Sequence, residues 1–357
     1  MNILILCTHF NPAGISRYTL NLAKGLKERG HRVWVGSSGG EWLPKLTQSN
    51  ITHIYLPIKT KSICSLKIPL SLNALLSFVA REQIQIIHAN TRVTQYLAYL
   101  TYKLRKIPYI STFHGFHQPT VWRRHFKLAG LRTIAVSEAV KKHLHQDMHI
   151  DESKIRMIHN GIDEKEFTVR RKSKIDYGFK ETDFVIGILG RISEEKGHFI
   201  AAEALKLLSF NHPNVYLAVS GKGRLLRQLK LFFKLADLEQ RVKFFDMDSK
   251  DFLDIPDILV VPSKREGFGY AIVEAFAKGV PVVGFNTGGI AEIIRNGENG
   301  VLFYHHDGSS LQEAIEGILS HRNLCTQLVE NAREDVSLFS LARMATATEN
   351  VYKELIR

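Results

Sequence analysis

Ile258-Leu259-Val260-Val261-Pro262-Ser263-Lys264-Arg265-Glu266-Gly267-Phe268-Gly269-Tyr270 leads directly into Ala271-Ile272-Val273-Glu274-Ala275-Phe276-Ala277-Lys278. An unbroken, largely β-branched run closes on a proline and reads as a strand buried on both faces. A charged turn punctuated by two glycines follows. Apolar residues then recur at helical spacing over Tyr270–Lys278. Strand, glycine turn and helix in that order form half of a βαβ unit, so the sheet they belong to is parallel.

The same alternation runs in both directions from this stretch. Upstream in the second half, strands are expected at Phe184–Leu189, Val215–Ser220, Val242–Phe245 and Ile258–Pro262; downstream at Pro281–Phe285 and Gly300–Phe303. The helices between them are His198–Leu208, Arg224–Ala236, Tyr270–Lys278, Ile290–Arg295, Ser310–Leu319 and Leu324–Asp335. In the first half, strands are expected at Ile3–Cys7, Arg32–Val35, His53–Leu56, Ile84–Ala89, Tyr109–Phe113, Thr133–Val136 and Ile155–Ile158. Helices there are Ser16–Arg29, Leu70–Arg81, Thr94–Arg105, Val121–Ala129 and Glu138–His145. A polar, charged stretch from Asp163 to Asp183 separates the two series and reads as a linker. A last amphipathic stretch, Leu338–Leu355, closes the chain. Two α/β domains in tandem are therefore expected, over 1–165 and 166–336, with 337–357 as a terminal helix. Open α/β sheets bind ligands at the carboxyl ends of their strands, and two such domains facing each other would make a deep cleft.

The chain has 357 residues, 45% hydrophobic and 23% charged. Those proportions exclude a disordered or fibrous protein. Three scattered cysteines, Cys7, Cys64 and Cys325, exclude a disulfide framework and a zinc finger and fit a reducing compartment. The first residues read as a strand and not as a leader peptide. No run of about 18 apolar residues appears; the longest candidate, Ile68–Ala80, is interrupted by Pro69, Ser71 and Asn73. A cytoplasmic protein is expected. Its net charge of +13 is uneven: residues 1–165 carry 23 Lys and Arg against 9 Asp and Glu, the remainder 25 against 26. An anionic partner is expected for the first half only.

Several strand ends carry residues suited to a phosphorylated sugar. Glu266 and Glu274 flank the Gly267-Phe268-Gly269-Tyr270 turn with seven residues between them. A carboxylate accepts from two hydroxyls at once, and a glycine turn lets backbone N–H groups approach a ligand. Solvent exposure and helix capping are the plain alternative for the pair. Gly187-Ile188-Leu189-Gly190-Arg191 ends another strand, with Lys196-Gly197 following just before a helix. Arg191 offers a planar fork and Lys196 a mobile point charge, together suited to a diphosphate. A surface pair with Glu194 or Glu195 is the alternative there. Ser220-Gly221-Lys222-Gly223 also joins strand to helix and fits a nucleotide or an ordinary turn. The sequence has no full GxGxxG and no Walker A, so hydride transfer and P-loop phosphoryl transfer are poorly supported. In the first half, Gly14 lies in the first strand–helix loop, where it would sit under a phosphate or sugar, and His114 stands at a strand end where it could hydrogen-bond a reacting sugar.

Together these residues resemble the retaining glycosyltransferases of the GT-B fold in the "glycosyl transferases group 1" family (family four). Glu266-Gly267-Phe268-Gly269 through Glu274 resembles that family's Glu-x7-Glu motif. Gly190-Arg191 through Lys196-Gly197 resembles its donor diphosphate motif, and Asn160-Gly161-Ile162-Asp163 its interdomain signature. Ala135-Val136-Ser137, Pro281-Val282-Val283 and Thr287-Gly288-Gly289 also fall in order. The resemblance implies two Rossmann-like, doubly wound domains, with the final helix crossing back onto the first. It implies that Arg191 and Lys196 hold the diphosphate of a UDP- or GDP-linked sugar. Glu274 would take ribose hydroxyls and Glu266 the donor sugar's, helped by the amides of Gly267 to Tyr270. His114 would touch the donor sugar, and Gly14 would sit near the phosphates. No metal and no other cofactor is implied; Asp246-Met247-Asp248 has a metal-like spacing at a position the family does not use. Pro12-Ala13-Gly14 stands where many relatives carry two glycines, and Arg224 where proline is commoner.

The first domain, the acceptor side in that fold, carries the excess charge. Lys103, Arg105, Lys106, Arg123, Arg124, Lys127, Arg132, Lys141 and Lys142 cluster there, with Trp122, Phe126 and Leu128 among them. A basic surface with aromatics suits an anionic membrane, so a peripheral enzyme on the cytoplasmic face of the inner membrane is expected, acting on a glycan or lipid-linked acceptor in lipopolysaccharide or other cell-surface polysaccharide biosynthesis. No nucleic-acid-binding module is visible. The rival readings are a sugar-nucleotide epimerase and a catalytically silent sugar-nucleotide-binding protein.

Overall fold

The computed structural model describes residues 1–60, 62–120, 128–167 and 172–356. The expected helix at Val121–Ala129 and the basic cluster's Trp122, Arg123, Arg124, Phe126 and Lys127 therefore lie wholly or mainly outside the described residues, as does part of the expected linker. The chain divides into two compact units, Met1–Ile162 with Phe339–Arg357, and Asp163–Leu338.

In the first unit the strands are β1 (Asn2–Leu6), β2 (Arg32–Ser37), β3 (Thr52–Tyr55), β4 (Ile86–Ala89), β5 (Tyr109–Phe113), β6 (Arg132–Ala135) and β7 (Ile155–Met157). They form one parallel sheet in the order β3-β2-β1-β4-β5-β6-β7. The order reverses between β1 and β4, which pair with Ile3 opposite Ile86. Helices α1 (Gly14–Glu28), α2 (Leu43–Gln48), α3 (Lys67–Arg81), α4 (Arg92–Arg105) and α5 (Glu138–Gln146) connect them, and the final helix α13 (Leu341–Lys353) belongs to this unit too. β1 and β4 are buried along almost their whole length, as strands covered on both faces must be.

Two helices differ from the sequence expectation for a local reason. Helix α3 begins at Lys67 and not at Leu70, because Pro69 sits in its first turn, where a missing N–H costs nothing. Helix α2 was not expected; its six residues bury only Leu46, too short an apolar pattern to read. Helix α13 packs on α1 through small residues: a Cβ on Gly25 would stand 2.8 Å from that of Ala345. The return of the chain is fixed by backbone pairing, Ile162 N–H to Phe339 O at 2.8 Å and Leu341 N–H to Ile162 O at 3.2 Å.

The second unit repeats the plan. Its strands are β8 (Phe184–Leu189), β9 (Val215–Ser220), β10 (Val242–Phe245), β11 (Ile258–Val261), β12 (Val282–Phe285) and β13 (Val301–Phe303). They are parallel in the order β10-β9-β8-β11-β12-β13. Its helices are α6 (His198–Leu208), α7 (Leu226–Leu235), α8 (Ser249–Phe252), α9 (Tyr270–Lys278), α10 (Gly288–Ile293), α11 (Gly308–Ser320) and α12 (Arg322–Asp335). Leu205, Leu217, Leu229, Ile258 and Ile315 form part of its continuous core. Strand order reverses between β8 and β11, so the loops after these two strands flank the switch point where such sheets take ligands. No helix among the described residues is long and apolar enough to cross a membrane.

Candidate functional site

The loops after β8, β9 and β11 are laced together by backbone. Gly190 ends β8 with φ +139°, a conformation that needs glycine. Its N–H donates to Ser220 O at 2.9 Å, and Ile192 N–H donates to Lys222 O at 2.9 Å. A Cβ on Gly221 would lie 2.0 Å from Gly190 O, and one on Gly223 2.0 Å from Ile192 O. These two glycines are thus explained by close approach to the neighbouring loop. Gly197, at φ +70°, passes equally close to Pro262 O. Lys264 N–H donates to Glu195 O at 2.8 Å, and Gly289 N–H to Glu266 O at 3.0 Å.

This lacing carries two charged groups to one place. Lys196 Nζ stands 2.5 Å from Glu266 Oε2, with both side chains mostly covered. Arg191 lies exposed on the same loop and makes no hydrogen bond or ion pair with another described residue. Glu274 is buried on α9, one turn in from Tyr270. Gly269 leads into α9 at φ +108°, and the first-turn N–H groups of a helix lack intrahelical acceptors. Phe268 is buried and stacks edge-on with Tyr270 at 5.4 Å, so its ring serves packing. The arrangement supplies two cationic groups, two carboxylates and a helix N-terminus at the carboxyl end of one sheet, a set that can hold an anion and hydroxyls together.

His198 was missed by the sequence reading. It is buried behind the Gly190–Gly197 loop, and burial first, then the Lys196 charge, push its imidazole down to about 4. It is therefore neutral at physiological pH and leaves the positive charge of this loop to Arg191 and Lys196. Its place directly after Lys196-Gly197 was the available signal. The two aspartates of Asp246-Met247-Asp248 have structural partners: Asp246 pairs with Lys222 at 2.6 Å, and Asp248 caps α8 through Ser249 N–H.

In the first unit Gly14 opens α1, with nothing within 4 Å of where a Cβ would stand. His114 follows β5 and is partly exposed. Its Nε2 is 3.2 Å from Asn90 Oδ1, and its ring meets Tyr18 edge-on at 4.6 Å. Behind it, His88 is fully buried, with Nε2 2.6 Å from Thr112 Oγ1 and Nδ1 2.7 Å from the Tyr352 hydroxyl. Burial pushes His88 down to about 3 and lowers His114 in the same direction. Asn90, Tyr18 and His88 were not singled out from sequence, because the pairing of β4 with β5 brings Asn90 and His88 to His114, and Tyr18 comes from helix α1. Of the interdomain signature, Gly161 O accepts from Asn21 Nδ2 at 2.7 Å.

Both halves of the chain match known protein families. Residues 12–166 match a family described as Glycosyltransferase Family 4, and residues 169–335 one described as Glycosyl transferases group 1. A UDP-Gal:alpha-D-GlcNAc-diphosphoundecaprenol alpha-1,3-galactosyltransferase of Escherichia coli is 24% identical over 86% of this chain and 85% of its own. A crystal structure of a glycosyltransferase from Rickettsia africae is 25% identical and superimposes with a TM-score of 0.86 over 100% of this chain and 99% of its own. The Anabaena protein HepE, solved in complex with UDP-glucose, is 22% identical and shares the fold with a TM-score of 0.86, over 99% of this chain and 100% of its own. With both halves matched in order and the two parallel sheets in place, this chain belongs to the group 1, family four glycosyltransferases and has their GT-B fold.

Proposed function

We propose that the chain is a retaining transferase that moves a sugar from a nucleoside-diphosphate sugar, UDP- or GDP-linked, to a glycan or lipid-linked acceptor, without a metal. The observation that carries this reading is the meeting of Lys196, on the loop that also bears Arg191, with Glu266 at the switch point of the second sheet. The bond from the sugar's anomeric carbon to the diphosphate oxygen breaks, and its electron pair leaves with the diphosphate. Arg191 and Lys196 offset the charge that develops there, the work a metal does elsewhere. The acceptor hydroxyl adds to the anomeric carbon from the face the diphosphate leaves, and its proton passes to the departing phosphate. Glu266 and Glu274 take sugar and ribose hydroxyls, with the amides of Gly267 to Tyr270 beside them. Gly190 and Gly221 shape the phosphate loop. The E. coli relative's use of a UDP-sugar and a lipid-diphosphate acceptor, and the UDP-glucose bound by the Anabaena protein, support the substrate class. Incubation of UDP- and GDP-sugars with lipid-linked acceptors in chelator, with the product's anomeric configuration read by NMR, tests this. Acceptor-dependent nucleotide release with retention is expected. Isomerisation without acceptor would point to an epimerase, and binding without turnover to a silent binding protein.

We also propose that the first unit docks on an anionic membrane surface, at the cytoplasmic face, in the service of lipopolysaccharide or other cell-surface polysaccharide synthesis. Between Trp42 and Ser137 the sequence holds thirteen Lys and Arg and a single acidic residue, Glu82. Leu66 and Leu70 at the start of α3 are 85% and 65% exposed beside Lys67, and Leu104 near the end of α4 is 60% exposed between Lys103 and Arg105. Leucines among lysines on a surface poor in acids suit a lipid headgroup layer. Co-sedimentation with phosphatidylglycerol vesicles, lost with pure phosphatidylcholine, is expected; absence of salt-sensitive binding would end the proposal.

A further inference from the structure

His114 and Asn90 follow adjacent parallel strands, β5 and β4, whose register sets Ala89 beside Ser111. Asn90 is buried, and its amide is held at both ends. Nδ2 donates to Thr19 Oγ1 at 3.1 Å, and Oδ1 lies 3.2 Å from His114 Nε2. With the amide in this orientation its carbonyl oxygen accepts, and Nε2 of His114 carries the proton. In a neutral imidazole the other nitrogen, Nδ1, then has a lone pair and no proton. His114 makes no second hydrogen bond among the described residues.

We infer that Asn90 is a positioning residue: it holds His114 as a neutral imidazole protonated at Nε2, so that Nδ1 is a fixed acceptor for a substrate hydroxyl and His114 serves neither as a proton donor nor as a cation. The titratable groups that face the ring are His88, His117 and Tyr18, all neutral or cationic in type, and burial is the main force against its charging. Among the described residues no carboxylate pairs with it to oppose this. The chain from Tyr18 through Thr112 to His88 and Tyr352 is likewise hydrogen-bonded without a charge, at 3.0, 2.6 and 2.7 Å. An unpaired cation beside this network would be poorly solvated.

The identity of the hydroxyl rests on the sugar-transfer reading; the tautomer does not, and is measured on the free protein. Long-range 1H–15N correlation of the histidine rings in the full chain, with His114 assigned by loss of its signals in His114→Gln, reports both nitrogens. Expected is the Nε2-protonated pattern, unchanged from pH 5.5 to 8.5. Asn90→Ala should mix the tautomers or bring the ring into titration within that range, and Asn90→Asp, which keeps an acceptor, should preserve the Nε2 proton. An Nδ1-protonated ring in the wild type, as the opposite amide orientation would give, overturns the inference, as does titration of the wild-type ring. The wild-type measurement can overturn the inference even if Asn90→Ala does not fold, and Asn90→Asp then tests the role of Asn90. Failure of the transfer reading would leave this spectrum unaltered, so the two are separable.

Discussion

Lys196 Nζ and Glu266 Oε2, seventy residues apart in sequence, form a 2.5 Å ion pair where β8 and β11 meet. The cation assigned to the departing diphosphate is therefore already engaged by the carboxylate assigned to the sugar. On that assignment an incoming diphosphate would compete with Glu266 for Lys196, and Glu266 so released would turn to sugar hydroxyls.

This makes Glu266→Gln informative in two directions. A partly exposed ion pair is worth about 0.2–1 kcal/mol, so its removal should tighten UDP or GDP binding by between about 1.4-fold and fivefold. Sugar transfer should fall by about tenfold or more, because a charged acceptor for hydroxyls is lost. Calorimetry for the nucleotide and initial rates for transfer separate the two. Weaker nucleotide binding in the variant would show that Glu266 supports the site instead of competing for it.

The loop lacing is open to a paired stability test. Gly221→Ala places a Cβ against Gly190 O at φ +147° and should destabilise the second unit by at least about 2 kcal/mol. Gly317→Ala, near the end of α11 with nothing within 4 Å, should stabilise it by about 0.5–1 kcal/mol. Urea unfolding of both variants measures this. Equal behaviour of the two would mean that the loop can relax around the new methyl.

The last helix has a pH-dependent anchor. Hydrogen bonds from Lys353 and then Arg29 hold Glu349 down at about 2, against an ordinary 4.5, despite the opposing cost of its burial. A carboxylate depressed in the folded state contributes stability above its unfolded value and loses it as pH falls. The contribution should be full above about pH 4.5 and fade as pH falls toward 2. Lys353 is 60% exposed and Arg29 36%, so solvent screening limits the value to about 1–2 kcal/mol. Glu349→Gln should lower thermal stability at pH 7 and flatten its fall between pH 4.5 and 2. An unaltered slope there would place the acid sensitivity elsewhere.

Strands β8 and β9 lie where expected, because a strand buried on both faces writes its limits into hydrophobicity. Helix α10 was less legible. It spans Gly288–Ile293 where Ile290–Arg295 was expected, because its end is set from beyond: Asn299 Oδ1 takes the Arg295 N–H at 2.7 Å. Arg191, Lys196, Glu266 and Glu274 were legible as motifs. That Lys196 and Glu266 touch was not, since their contact depends on β8 pairing with β11. Gly221 was legible as a turn glycine; its close approach to Gly190 O was not, since it depends on how the loops after β8 and β9 meet. Asn90 carries no motif; only the β4–β5 register brings it to His114.

Whether two fixed cations hold the nucleotide's diphosphate is decided by calorimetric titration of UDP and GDP, in chelator, into the wild type, Arg191→Ala and Lys196→Ala. Expected is binding of at least one nucleotide to the wild type, weakened about tenfold or more in each variant, the loss of one charged hydrogen bond. Undiminished affinity in both variants would overturn the assignment of Arg191 and Lys196 to the diphosphate, and with it the proposed chemistry.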